Sequence, residues 1–243
     1  VTQVRECAFR LVQEAKARNV AIILVGHVTK DGNIAGPRLL EHVVDTVISF
    51  EGDRLHSLRM VRAVKHRFGT TNELGLFEMT EQGLLGVPDA SNMLLADRQH
   101  GVAGSVVVPT IDGQRPLLVE VQALTTRVTA GVTPRRSAQG VESSRLAMLL
   151  AVLERRAGIP FTSLEVYASV VGGVRLNDPG SDLAMCLALA SAALDKPVHA
   201  DMVALGEVGL GGEIRHVTHL ERRIIEAERM GFNRVLIPAN SKA

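Results

Sequence analysis

The run Val20-Ala21-Ile22-Ile23-Leu24-Val25 contains no polar residue, as expected of a strand whose two faces are both covered. It predicts a central parallel strand. Gly26-His27-Val28-Thr29-Lys30 follows directly, and polar residues just past the C-terminal end of such a strand sit where open α/β sheets bind ligands. Upstream, Val4, Cys7, Ala8, Leu11, Val12 and Ala15 recur at steps of three and four, which predicts one buried stripe of a helix closing near Asn19. Downstream come a glycine-containing loop over residues 31–36, a short helix opened by Pro37 and a strand near 47–50, each with its usual composition. Helix, strand, loop and helix in alternation predict an α/β chain.

The 243 residues suit one large domain or two ordinary ones, at about 100–200 residues per domain. With 46% hydrophobic and 22% charged residues the composition is that of a soluble globular protein. No stretch approaches the roughly 20 apolar residues that span a bilayer, and no basic start with an apolar core and a small-residue cleavage site directs secretion. A cytoplasmic location is expected. Cys7 and Cys186 lie far apart inside apolar helical patterns, which predicts buried thiols rather than a disulfide or a metal pair. The net charge is only +1, so contact with nucleic acid would rest on local patches. Aromatics at 3% argue against platforms that stack single-stranded bases.

The sharpest charge asymmetry lies in residues 54–72, with Arg54, Arg59, Arg62, Lys65 and Arg67, two histidines and no acidic residue. Turn formers Gly83, Gly86 and Pro88 then mark a boundary between residues 1–85 and 86–243. Asp89 or Ser91 caps a short helix ending near Ala96. Residues 104–109 and 116–124 flank Asp112-Gly113, the signature of a hairpin. Past Pro134-Arg135-Arg136 come a helix over 143–156 stopped by Gly158, a strand over 165–171, a helix over 181–194 and a strand over 202–208. A helix over 218–230, opened by the capping box Thr218-x-x-Glu221, and a strand at 234–237 complete the order.

Lys65-His66-Arg67-Phe68-Gly69, followed by Thr70-Thr71-Asn72-Glu73, resembles the bacterial RadA (Sms) DNA-repair family, whose signature is Lys-Asn-Arg-Phe-Gly; His66 stands at the family's asparagine. Leu24-Val25-Gly26-His27-Val28-Thr29-Lys30-Asp31-Gly32 and Ala35-Gly36-Pro37-Arg38-Leu39-Leu40-Glu41-His42 are similar to its RecA-like core. Pro134-Arg135-Arg136 with Arg145-Leu146, Val170-Val171-Gly172-Gly173 and Gly206-Glu207-Val208-Gly209-Leu210 are similar to its C-terminal Lon-protease-like domain. The resemblance implies the C-terminal half of a RecA-like P-loop ATPase core followed by a Lon-protease-like α+β domain. The sequence holds neither Gly-x-x-x-x-Gly-Lys-[Ser/Thr] nor Cys-x-x-Cys, so the phosphate cradle that P-loop motors need is expected upstream, with the family's zinc. The chain then reads as a fragment.

The resemblance further implies an ATP- and Mg2+-dependent motor that translocates on DNA or migrates branches, working on single-stranded and branched DNA beside a RecA-type recombinase as a ring, a hexamer by expectation. Lys65 and Arg67 would grip phosphates or reach a neighbouring subunit's γ-phosphate; the plain alternative is a solvated basic strand edge. Phe68 is either a wedge against a base or a packing anchor. Gly69 is assigned to a turn that needs freedom in φ. His27 is either a sensor of the γ-phosphate or an ordinary strand-end histidine. Lys30, Arg54, Arg59, Arg62, Arg135 and Arg136 are the nucleotide- or DNA-binding candidates, and no metal site is expected. Alignment with Lon proteases puts Gly180 at the nucleophilic serine and Arg223 at the lysine that serves as its base. Glycine offers no nucleophile, and a guanidinium does not accept a serine proton at neutral pH. A non-catalytic scaffold that binds DNA or a partner is the second reading, and an active serine protease the least favoured.

Overall fold

The computed structural model describes residues 2–26, 40–52, 58–71, 73–129 and 133–241. The chain divides into two compact units, residues 1–51 with 60–75, and residues 52–59 with 76–243.

In the smaller unit the predicted stripe does form a helix, α1 (Thr2–Arg18), which ends where Asn19 turns left-handed at φ 52°. Of that stripe Ala8 alone is buried; Val4 and Leu11 are exposed, and so is Cys7, contrary to its predicted burial. Ion pairs Glu6–Arg10 and Glu14–Arg18, one turn apart, line the solvent side. The apolar run after α1 is not a strand. Residues 20–26 pair with no described strand, and Ile23 and Val25 are 89% and 96% exposed. An apolar run becomes a central strand only where neighbours complete its backbone hydrogen bonds on both edges. Strands β1 (Thr46–Glu51) and β2 (Leu58–His66) do form, paired antiparallel from Thr46↔His66 to Glu51↔Met60 with an irregularity between Val47 and Ile48.

The larger unit opens with the hairpin of β3 (Leu74–Thr80) and β4 (Gly83–Gly86), where Gly83 takes φ 107°. Asp89 caps α2 (Ala90–Leu95), as its sequence position predicts, by accepting from Asn92 N at 3.0 Å. The core is a six-stranded mixed sheet in the order β12-β9-β5-β6-β8-β7. Its centre is the predicted hairpin of β5 (Ser105–Asp112) and β6 (Arg115–Arg127), closed at Gly113 with φ 63°. Val106, Val107 and Val108 are fully buried, as β-branched residues are where helices cover both faces. Strand β8 (Leu164–Val170) runs antiparallel to β6, and β7 (Arg136–Gln139) lies parallel to β8 at one edge. At the other edge β9 (Met202–Ala204) is parallel to both β5 and β12 (Arg234–Leu236).

Helix α3 (Ser143–Ala157) buries Leu146, Leu149, Leu150 and Leu153 and stops at Gly158, left-handed at φ 70°. Helix α4 (Asp182–Leu194) lies on one face of the sheet, where Thr125 Oγ1 donates to the Ala192 carbonyl at 3.1 Å. On the opposite face Ala227 of α5 (Leu220–Arg229) joins Val107, Leu118 and Val203 in a buried cluster against Leu95 of α2. Burial pushes the Cys186 thiol on α4 up to about 12, which suits its predicted buried state.

Two boundaries depart from expectation. The strand predicted over 202–208 breaks at Leu205-Gly206, and Glu207–Val208 leaves the sheet as β10 to pair with β11 (Ile214–Arg215). A Cβ on Gly206 would meet Ile214 Cγ2 at 2.5 Å, so a side chain does not fit at that crossing. The capping box Thr218-x-x-Glu221 does not form either. His219, left-handed at φ 55°, precedes α5 without a side-chain cap, while the Thr218 carbonyl accepts from Arg223 Nε at 2.9 Å.

Candidate functional site

Residues 65–69 leave the end of β2 beside the start of β1. Lys65 Nζ donates to the carbonyls of Glu41 at 2.5 Å and Val44 at 2.9 Å, so its ammonium closes the short turn over residues 40–45. Arg67 donates from Nη1 to Asp45 Oδ1 at 3.2 Å while its backbone N–H meets the Asp45 carbonyl at 2.9 Å. The Arg67 side chain is still 62% exposed, and its guanidinium carbon lies 5.9 Å from the centre of the Phe68 ring. Phe68 is 77% exposed, which places it in solvent rather than in a core. His66 Nδ1 and Thr46 Oγ1 share a hydrogen bond at 2.9 Å. Gly69 does not take a positive φ; a Cβ there would meet His66 Cδ2 at 2.7 Å, so glycine is needed for space rather than for φ.

The segment without acids in sequence has acids beside it in space. Arg62 pairs with Glu51 across the hairpin at 3.3 Å, as Arg67 does with Asp45. Arg59 donates to the Leu58 carbonyl at 2.9 Å, and its side chain runs along Gly52. His27, Lys30 and Arg54 lie outside the described residues. Among the described residues no glycine-rich loop cradles a phosphate, and Lys65, the first cation of the motif, is engaged with carbonyls. No group of three or more His, Cys, Asp or Glu among the described residues is arranged to hold a metal.

In the larger unit Arg135 and Arg136 are exposed at the start of edge strand β7, Arg136 reaching the Phe161 carbonyl at 3.5 Å. Gly180 and Arg223, far apart in sequence, converge on one carboxylate. Asp178 caps the 3-10 turn Pro179–Ser181: its Oδ1 accepts from Gly180 N at 2.9 Å, and its Oδ2 accepts from Arg223 Nη1 at 2.5 Å and Thr110 Oγ1 at 3.4 Å. The Arg223 side chain is 2% exposed and also donates to the Pro109 carbonyl at 2.9 Å. A Cβ on Gly180 would meet Val217 Cγ1 at 3.0 Å and both Asp178 oxygens within 3.3 Å. The neighbouring Ser181 Oγ donates to the Asp178 carbonyl at 2.7 Å and is buried, so it serves the turn. Asp178 was not legible as a partner of Arg223, although Asp178-Pro179-Gly180 reads as a capped turn. A second ion pair, Arg145 to the buried Asp182, which also accepts from Val208 N at 3.0 Å, ties α3, α4 and β10 together.

Residues 84–243 match the family model of the Lon protease (S16) C-terminal proteolytic domain. The chain belongs to that family. Over 98% of its length it is also 49% identical to a protein of Bacillus subtilis (strain 168) named DNA repair protein RadA, of which it covers 52%. It is 48% identical over 99% of its length to the protein of that name from Streptococcus pneumoniae, of which it covers 57%, and 50% identical over 98% to that of Halalkalibacterium halodurans. The chain thus spans about half the length of the curated relatives it matches, and the resemblance to RadA read from the motifs holds along the whole chain. Within the Lon-family domain Gly180 and Arg223 are thus joined through the Asp178 carboxylate. No helix of the described residues is long and apolar enough to cross a membrane.

Proposed function

We propose that the chain is part of a cytoplasmic DNA-repair motor of the RadA type. In this reading the smaller unit belongs to a RecA-like ATPase core, and the protein moves on single-stranded and branched DNA during recombination, beside a RecA-type recombinase. The observation that carries it is the 48–50% identity, along 98–100% of the chain, to proteins named for DNA repair. ATP and Mg2+ would be held by the phosphate cradle of the intact protein, and zinc by a further region. Arg67 contributes from this chain a guanidinium 62% exposed beside an exposed aromatic ring, a group able to meet a phosphate.

The Lon-family domain is read as a platform for a ring of subunits rather than as a peptidase: the resemblance assigns Gly180 and Arg223 to the nucleophile and its base, and Arg223 is buried and ion-paired. Arg67 is the residue to test, because Lys65 also holds the 40–45 turn and its loss would mix folding with chemistry. In the full-length protein Arg67→Lys should lower DNA-stimulated ATP hydrolysis at least about tenfold while circular dichroism is unchanged, because lysine lacks the planar fork. Hydrolysis at the parent rate would remove Arg67 from the site.

A further inference from the structure

The face of the six-stranded sheet that carries α2 and α5 is left open beyond them. Over β6, β8 and β7 a cavity of 460 Å³ stands between the strands and the loop that leaves α2, within the about 300–1,000 Å³ of ligand clefts. Its floor is ordered by register. Ser105 lies opposite Gln122, Gln122 opposite Ser169, and Ser169 opposite Gln139, one hydroxyl or carboxamide from each of four adjacent strands. At one end of this row stands Glu120, 2% exposed, whose carboxylate accepts from Ser105 Oγ at 2.5 Å. A carboxylate has about four acceptor positions, and burying one away from water is costly unless it is paired. Arg98 acts on it through space but spends its own Nη1 on the Ala200 carbonyl. Asp97 adds a second carboxylate, and no Lys, Arg or His lines the cavity.

We propose that this groove receives an arginine side chain carried on an extended segment of a partner protein. Two carboxylates line the cavity and the guanidinium of Arg98 is not in its lining, so the cavity disfavours phosphate and the occupant is neither DNA nor a nucleotide. A guanidinium can take both oxygens of a carboxylate at once, and the row of serines and glutamines both donates and accepts, as peptide groups require.

The test titrates the whole 243-residue chain with acetyl-Gly-Arg-Gly-amide and with the same peptide carrying citrulline, the neutral isostere of arginine. The arginine peptide should saturate one site and the citrulline peptide bind at least about tenfold more weakly, as expected when a charge-assisted bond is removed. Glu120→Gln, which keeps an acceptor for Ser105, should abolish that difference. Gln122→Trp, at an exposed floor position, should block both peptides. Equal binding of the two peptides, no saturation, or full binding to either variant would overturn the proposal. If Glu120→Gln does not fold, Gln122→Trp decides it alone. Spermidine binding more tightly than the peptide, and abolished in Gln122→Trp, would assign the groove to free amines and overturn the peptide; displacement of the peptide by duplex DNA would overturn the charge argument.

Discussion

Arg223 is the largest fully buried side chain among the described residues. Its guanidinium is closed in by Asp178 and by the carbonyls of Pro109 and Thr218, so each of these bonds holds the fold together. Removing one partner of a buried pair strands the other charge, which costs about 3–5 kcal/mol. Arg223→Met should therefore destabilise the chain by about 3 kcal/mol, the lower end because Asp178 is partly open to solvent. Urea unfolding checks this; a loss under about 1 kcal/mol would show that the pair is not coupled. The double variant Gly180→Ser with Arg223→Lys should gain no peptidase activity on casein, because the new Cβ meets Val217 and Asp178 before any substrate arrives. Cleavage of casein by it would mean that the pocket opens.

At the scale of elements, the join between α2 and α5 rests on a charged network. Asp89 caps α2 and accepts from both terminal nitrogens of Arg229 on α5, at 2.7 and 3.0 Å, while Arg229 also holds Glu226. Ser91 Oγ continues the chain, donating to Glu226 at 2.5 Å and accepting from Leu118 N at 3.1 Å. The hydrogen bond from Arg229, then that from Asn92 N, lowers the Asp89 carboxyl from its ordinary 3.8 to about 2. A carboxyl with a depressed folded value binds fewer protons in the native state, so its stabilisation is present above about 3.8 and fades as pH falls towards 2. Asp89→Asn keeps a capping oxygen but loses the charge. Its melting temperature should lie below the parent's at pH 7, and the gap should shrink between pH 4 and pH 2; a gap constant with pH would show that the ion pair contributes nothing. The effect stays small because the Asp89 side chain is 37% exposed.

At the scale of the whole molecule, the cations that the sequence nominates for DNA differ in their surroundings. Arg62 and Arg67 face Glu51 and Asp45, while Arg135 and Arg136 are exposed at the start of β7. If the Lon-family domain meets DNA phosphates, replacing both arginines with glutamate should flatten the plot of log affinity against log salt by about 0.9 for each phosphate no longer neutralised. Fluorescence anisotropy with duplex DNA reads this directly, and an unchanged slope would take that domain off the DNA. What was legible in sequence is what depends on neighbours along the chain. Helical spacing in α3, the glycine that ends it, the Asp89 cap and the β5–β6 hairpin all follow from local backbone demands. The tertiary structure alone decided the rest. An apolar run is buried only if other strands and helices arrive to cover it, and residues 20–25 pair with no strand among the described residues and stay exposed. A charge is spent or free according to what crosses its path, and the carboxylates Asp45, Glu51 and Asp178 reach their arginines through pairing or folding that no local pattern records. Coulomb attraction and hydrogen bonding act across a few ångströms of space, whereas the periodicities of sequence encode only which side of one element faces inward.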